Sequence, residues 1–343
     1  MHLTVLSASD VATASSSLTP NFLMSLMALV FVRLSSNAHI EMPHRTTVGT
    51  DSYSALFMPA HMDDFGTSMK VVSLPKGPSQ EGLPASTLLL DERTGALKAL
   101  INARSLTALR NAAGSALATR LVGPTMPHVL LAFGAGKQIE AHVELFIKAF
   151  PSLKRCIVVN RRPNERVDNL QASLQGQHPN VEITTEYAVD GVGAGTFDLQ
   201  RAVLSADIIC TATPSKTPLF RSDWVKVGTH LNLIGSFTPE MVEVDASLVQ
   251  RAGKILVESR DACLKEAGEL IQAEVKPGDL VEIGEIVELD GKPIRDEAMK
   301  IKRAGDVTIF KSVGVGLQDT AIAKAVFDKA TSLNLGTKIE GYD

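Results

Sequence analysis

The chain has 343 residues, 45% of them hydrophobic and 21% charged, with a formal net charge of -4. That length accommodates two domains and a large core without disulfides or structural metals. The slightly acidic balance supplies neither a basic field for nucleic acid nor a polybasic membrane patch, so neither partner is expected. Cys156, Cys210 and Cys263 stand far apart in apolar runs. They read as buried, reduced thiols of a cytoplasmic protein, and no Cys/His spacing suggests zinc.

Residues 22–32 are strongly apolar. They fall well short of the roughly twenty residues that span a bilayer, and no basic segment precedes them. A core or subunit-interface helix is expected there. A polar stretch at 39–51 leads into extended candidates at 53–58 and 68–73 and a Gly/Pro-rich loop at 76–84. Residues 86–90 and 96–102, joined by a turn at 91–95, read as an antiparallel hairpin. An Ala-rich helix follows at 105–122, with Ser105 or Thr107 as its N-cap.

From Met126 the pattern becomes strand–helix alternation. Apolar strands are expected at 129–133, 156–159, 181–185, 207–211, 231–234 and 254–257, with helices at 138–150, 164–175 and 199–205. This is the signature of a parallel sheet covered on both faces. The last part reads as a strand at 307–311, a turn at Gly314 and Gly316, and a helix at 319–333 that packs back on the first domain. The fold class is therefore α/β: a Rossmann dinucleotide-binding domain over 124–305, plus an α+β substrate and dimerisation domain over 1–123 to which 306–343 returns.

Gly134-Ala135-Gly136-Lys137-Gln138 follows an apolar strand and opens a helix. The first glycine permits a tight turn, the second lets backbone approach a pyrophosphate, and the helix N-terminus supplies free N–H groups. Ile139 stands where Gly or Ala would complete the pattern, which should push the helix slightly off the strand. The spacing is not that of a Walker loop. The second strand ends in Asn160-Arg161-Arg162 rather than in an acid for the ribose 2′-OH. A guanidinium grips a 2′-phosphate, so NADPH is expected in preference to NADH. Thr211 and Thr213, then Gly235 and Ser236, fall at the carboxyl edge of later strands and are expected near the ribose and nicotinamide; Gly314 joins the cofactor set.

Three cations stand out in the first domain: Arg45 before a strand, Lys70 in one, and Arg110 on the Ala-rich helix. With Leu56-Phe-Met-Pro59, Lys70-Val-Val-Ser73, Leu90-Asp-Glu-Arg-Thr-Gly95, Thr107-Ala-Leu-Arg110-Asn-Ala-Ala113, the Gly134 motif, Ile234-Gly-Ser-Phe-Thr-Pro-Glu-Met241, Phe310-Lys-Ser-Val-Gly314 and Gln318-Asp319, the chain resembles the ornithine cyclodeaminase/mu-crystallin family from about residue 45 to 320. The resemblance implies a homodimer, with a Rossmann domain inserted into the substrate domain. It implies that Arg45 and Arg110 bind a substrate carboxylate and that Lys70 lies beside the reacting carbon–nitrogen bond. The chemistry suits these residue types: a guanidinium fork orients an α-carboxylate, and the nicotinamide delivers hydride to C=N. A lysine between two arginines should have a lowered pKa, because like charges disfavour its ammonium. It would then handle the proton near neutral pH.

Two positions depart from the family pattern. Cyclodeaminases carry an Asp where this chain has Ser236, and a neutral hydroxyl is neither a base nor a cation partner. Asn111 stands where many relatives have Thr beside the arginine. The expected activity is therefore NAD(P)H-dependent reduction of an imine or ketimine bearing an α-carboxylate, or of a 2-oxo acid with an amine, in a ketimine or cyclic-imine reductase-like branch. An ornithine cyclodeaminase or amino acid dehydrogenase activity, and a non-catalytic NADPH-regulated binder of the mu-crystallin type, are the alternatives. Met58, His61 and Phe237 are expected to shape the substrate pocket.

Overall fold

The computed structural model describes residues 2–77 and 83–342, so most of the expected 76–84 loop lies outside the described residues. The N-terminal part runs β1 (His2–Leu6), α1 (Ala8–Ser16), α2 (Pro20–Ser36), β2 (Ile40–Glu41), β3 (Thr46–Gly49), β4 (Tyr53–Met62), β5 (Gly66–Pro75), β6 (Ala85–Leu90), β7 (Leu97–Asn102) and α3 (Leu106–Val122). The expected hairpin is β6–β7, antiparallel, with a register irregularity between Leu89 and Leu90. β4 and β5 pair along their whole length, Met58 opposite Lys70. Strand β1 was not expected. It is short, and both its neighbours are remote in sequence: Thr4 pairs with Ala99 and with Lys338.

Helix α2 contains the apolar run at 22–32. Pro20 opens it, and the Thr19 hydroxyl accepts from Phe22 N–H. Leu23, Met24, Met27, Val30 and Phe31 are buried, so the run is a core helix. No single helix among the described residues is long and apolar enough to cross a membrane. Phe31 lies against Gly114 of α3, where an added Cβ would come within 3.2 Å of its ring. The expected cap of α3 differs: Ser105 holds the N-cap position but makes no side-chain bond, and Thr107 is inside the helix. Ser105 adopts helical φ/ψ, and capping by the side chain needs the extended conformation.

The second part runs β8 (Val129–Phe133), α4 (Lys137–Ala149), β9 (Arg155–Asn160), α5 (Glu165–Gln177), β10 (Glu182–Val189), β11 (Val192–Gly193), α6 (Leu199–Ser205), β12 (Ile208–Thr211), β13 (His230–Leu233), α7 (Ala246–Arg251), β14 (Ile255–Val257), α8 (Arg260–Glu266), α9 (Gly268–Gln272), β15 (Leu280–Glu282), α10 (Arg295–Ala304) and β16 (Thr308–Lys311). Their sheet has the order β11-β10-β9-β8-β12-β13-β16-β14-β15 and is parallel apart from β11. The order reverses at β8, with β9 on one side and β12 on the other. That switch point is where doubly wound sheets bind ligands.

The chain ends in α11 (Gly316–Ser332) and β17 (Thr337–Glu340). Helix α11 packs on β4 and β5, and β17 on β1, so the tail does return to the first sheet. It leaves the second sheet later than residue 306, because β16 is wedged between β13 and β14, with Ile309 opposite both Leu231 and Ile255. All four β16 residues are buried, a burial available only inside the larger sheet.

Candidate active site

At the switch point Gly134 has φ +112°, and an added Cβ would sit 2.8 Å from the Ala212 carbonyl oxygen. Only glycine tolerates both conditions. Gly136 is the N-cap of α4 and provides no side chain to cap it; a Cβ there would meet nothing within 4 Å. The first turn of α4 is thus left without a side-chain cap, which suits a pyrophosphate. Ile139 is fully buried against the turn. Asn160 ends β9 and donates to the Arg162 carbonyl at 2.7 Å. Arg161 and Arg162 are exposed and make no ion pair among the described residues. These groups fit an adenosine ribose end and its phosphates.

The loops after β12 and β13 are organised by a residue that sequence reasoning missed. Glu243 is fully buried and accepts from Thr211 Oγ1 at 2.7 Å, Thr213 N at 2.7 Å, Thr213 Oγ1 at 2.9 Å and Gly235 N at 2.8 Å. Burial raises its pKa. Thr211 and Thr213 stand at the strand edge expected near the cofactor, with both hydroxyls donating to this carboxylate. Ser236 is fully buried; its hydroxyl accepts from Gly268 N–H at 3.1 Å, and its carbonyl accepts from Lys311 Nζ at 2.6 Å. Lys311 pairs in turn with Glu269 at 2.9 Å, both fully buried. Glu258 holds the turn after β16, accepting from Ser312 Oγ at 2.9 Å, Val313 N at 2.7 Å and Gly314 N. The available signal was a lone acid in an apolar context, Val242-Glu243-Val244 and Val257-Glu258. A carboxylate buried there must be answered by several donors.

Lys70 and Arg110 come together as expected. Ser68 and Lys70 alternate onto the buried face of β5, against α11. Lys70 Nζ donates to both oxygens of Asp319, at 3.1 and 3.2 Å. Arg110 Nε donates to the same Oδ1 at 3.2 Å. Its Nη1 donates to Gln318 Oε1 at 2.8 Å and to Asn111 Oδ1. Lys70 and Arg110 are 3% exposed and Asp319 2%. Asn111 Nδ2 reaches Gln138 Oε1 at 3.1 Å, which ties this cluster to the first turn of α4. Gly314, at φ +87°, lies against the guanidinium, where a Cβ would come within 2.7 Å of Nη2.

The lowered pKa expected for Lys70 is present, with a different leading cause. Burial contributes most; Asp319 opposes it; Arg110 and, least, Arg45 add to it. Lys70 is therefore not squeezed between two arginines but held on a carboxylate. Arg45 stands apart, on the segment before β3. Its Nη2 pairs with Glu266, at the end of α8, at 2.7 Å, and both side chains are partly exposed. Burial and the nearby Glu258 raise the pKa of Glu266, while Arg45 lowers it. Of the expected pocket residues, Met58 is buried on β4, and His61 bonds Thr67 and Asp63.

A profile of the ornithine cyclodeaminase/mu-crystallin family matches residues 7–334. The chain belongs to that family. It is 32% identical over 296 residues to the mouse (Mus musculus) ketimine reductase mu-crystallin, covering 84% of this chain and 85% of the relative. It is 30% identical over 294 residues to a Δ1-pyrroline-2-carboxylate reductase of Bacillus cereus, with 84% and 85% covered. Among solved structures, the Δ1-pyrroline-2-carboxylate reductase of Thermococcus litoralis, in complex with NADH and L-proline, superposes with a TM-score of 0.80 at 25% identity, covering 98% of this chain and 100% of that one. The α/β architecture, with a Rossmann sheet joined to a second, mainly antiparallel one, is the architecture of this family.

Proposed function

We propose that this chain reduces the C=N bond of an imine or ketimine carrying a carboxylate on the reacting carbon, giving an amino or cyclic imino acid. The observation that carries this reading is the Lys70–Arg110–Asp319 cluster: two buried cations share one carboxylate. A buried charge excess calls for a ligand of opposite sign. Both cations keep a donor for it: two protons of Lys70 are engaged by Asp319, and Arg110 Nη2 makes no hydrogen bond among the described residues. The names of the relatives, two pyrroline-2-carboxylate reductases and a ketimine reductase, support the same substrate class.

A nicotinamide dinucleotide, when bound, supplies the hydride. Gly134, Ala135, Gly136 and Gln138 would hold its pyrophosphate, and Asn160, Arg161 and Arg162 its adenosine ribose. The two exposed arginines favour NADPH over NADH. Arg110, with Arg45 released from Glu266, would fix the substrate carboxylate, and Lys70 would give a proton to the substrate nitrogen. Glu243 and Glu258 hold the loops at 211–213, 235 and 312–314 around the reaction. Three buried free cysteines suit the cytoplasm, where we place the enzyme as a homodimer.

The test is purified protein with NADPH and either Δ1-pyrroline-2-carboxylate or Δ1-piperideine-2-carboxylate. Loss of the near-ultraviolet absorbance of the reduced nicotinamide, with proline or pipecolate formed, is the expected result. No turnover of either imine, with proline formed from ornithine instead, would overturn it in favour of cyclodeamination.

A further inference from the structure

The carboxylate between Lys70 and Arg110 comes from α11, more than two hundred residues after either cation. It sits in the first turn of that helix, where the dipole favours a negative charge. Oδ1 accepts from both cations and Oδ2 from Lys70 alone, so a single group sets the separation of a strand residue and a helix residue. Next to it, Gln318 Oε1 accepts from Arg110 Nη1, and the Thr320 and Ser68 hydroxyls share a hydrogen bond at 2.7 Å. The start of α11 is thereby clamped to α3 and β5 on both sides of the carboxylate. Glu258, the other acid near Arg110, is committed to Ser312 and to the N–H groups of Val313 and Gly314.

We propose that Asp319 is a positioning residue for the reaction: it holds Lys70 and Arg110 as one rigid donor pair, so that their free donors meet the same substrate carboxylate and the ammonium proton stays beside the C=N nitrogen. The proposal rests on the imine-reductase reading above and deepens it. As hydride reaches the imine carbon, the C=N π pair becomes the new N–H bond with a proton from Lys70, and the neutral amine recovers a proton from solvent. The charged groups facing Lys70 are Asp319 on α11, Arg110 on α3 and Arg45 before β3. Burial and both arginines favour the neutral amine, and Asp319 alone opposes them. Activity that needs the ammonium is lost as pH rises through the Lys70 pKa, and Asp319 holds that limb at higher pH.

Asp319→Asn keeps the volume and one acceptor oxygen while removing the charge. In this variant the basic limb of the kcat/KM profile for Δ1-pyrroline-2-carboxylate moves down by about one pH unit or more, and kcat falls about tenfold, with KM for NADPH unchanged. Calorimetric titration with pyrrole-2-carboxylate, a planar anion that is not reduced, shows the same downward shift in the pH at which binding weakens. Asp319→Glu keeps the charge but displaces the pair, so kcat falls while the limb stays in place; this variant carries the test should the Asn variant not fold. A limb unmoved in Asp319→Asn, or moved equally in Asp319→Glu, overturns the proposal. Lys70→Met separates the two readings. Full turnover in Lys70→Met removes the role of Lys70 itself, whereas a dead Lys70→Met beside an unshifted Asp319→Asn removes only that of Asp319.

Discussion

Two regions of the molecule treat buried charge in opposite ways. At the carboxyl ends of the Rossmann strands, Glu243 and Glu258 are answered by backbone N–H groups and hydroxyls of neighbouring loops. On the substrate side, Lys70 and Arg110 share one carboxylate and retain unused donors. A carboxylate with all its acceptor sites filled fixes backbone and has nothing left for a ligand. A cation pair with one counter-charge is completed by an incoming anion. The same chemistry of buried charge therefore builds a frame in one place and the proposed binding site in the other.

The largest expected effect tests the substrate side. Lys70→Met should lower kcat by about 10²–10⁴-fold, the usual range for a positioned proton donor, measured with saturating NADPH. If kcat is retained, the two cations serve binding alone and the contrast between the regions weakens.

The second prediction concerns the packing of α3 on α4. His142 is fully buried, with Nδ1 on the Gln138 carbonyl at 2.7 Å and Nε2 on Ser115 Oγ at 2.9 Å, and burial pushes its pKa down to about 4. The unfolded chain takes up a proton below its ordinary value near 6.5, before the folded one does. The stability from neutral His142 is therefore complete above about pH 6.5 and is lost as pH falls towards 4, by up to about 3 kcal/mol. His142→Gln should flatten that part of a Tm-against-pH curve. An identical slope in the variant would assign the acid sensitivity elsewhere, His230 being the next candidate, with a pKa lowered by burial to about 3.

Third, Glu243→Gln places an amide donor among N–H and O–H donors. The cost of one unsatisfied buried group is about 1–3 kcal/mol. Tm should fall and KM for NADPH rise about tenfold, with KM for the imine much less affected. An equal rise in both KM values would mean that the frame serves both ends of the cleft. The smallest effect is expected at the exposed arginines: Arg161→Ser with Arg162→Ser should reduce the NADPH preference about tenfold through KM, leaving NADH kinetics unchanged.

The Rossmann strands and the Gly134 turn were legible because their signals are local: an apolar run, two glycines and a helix start within one short segment. Arg45, Lys70 and Arg110 were visible as charges in structured context, but not their partners. In the sequence Asp319 is one letter of the Gln318-Asp319 motif with no partner in view, and Arg45 is held by Glu266. Thr211, Thr213 and Ser236 lie at or just beyond strand ends, as the local pattern implied, but the pattern did not show that their hydroxyls bond Glu243 and the Gly268 N–H. Strand position is read from the local pattern, whereas side-chain direction depends on which acid the next loop brings underneath.

By itself the sequence determined the alternation of strands and helices, the dinucleotide turn and the cationic residues of the substrate domain, since each depends on spacing within one element. Only the tertiary structure decided which charges meet. It set β16 inside the larger sheet, brought α11 back onto β5 and gave Lys70 and Arg110 a common counter-ion. The physical reason is range: periodicity acts over a few residues, whereas the balance of a buried charge is set by whatever segment the fold places within hydrogen-bond reach.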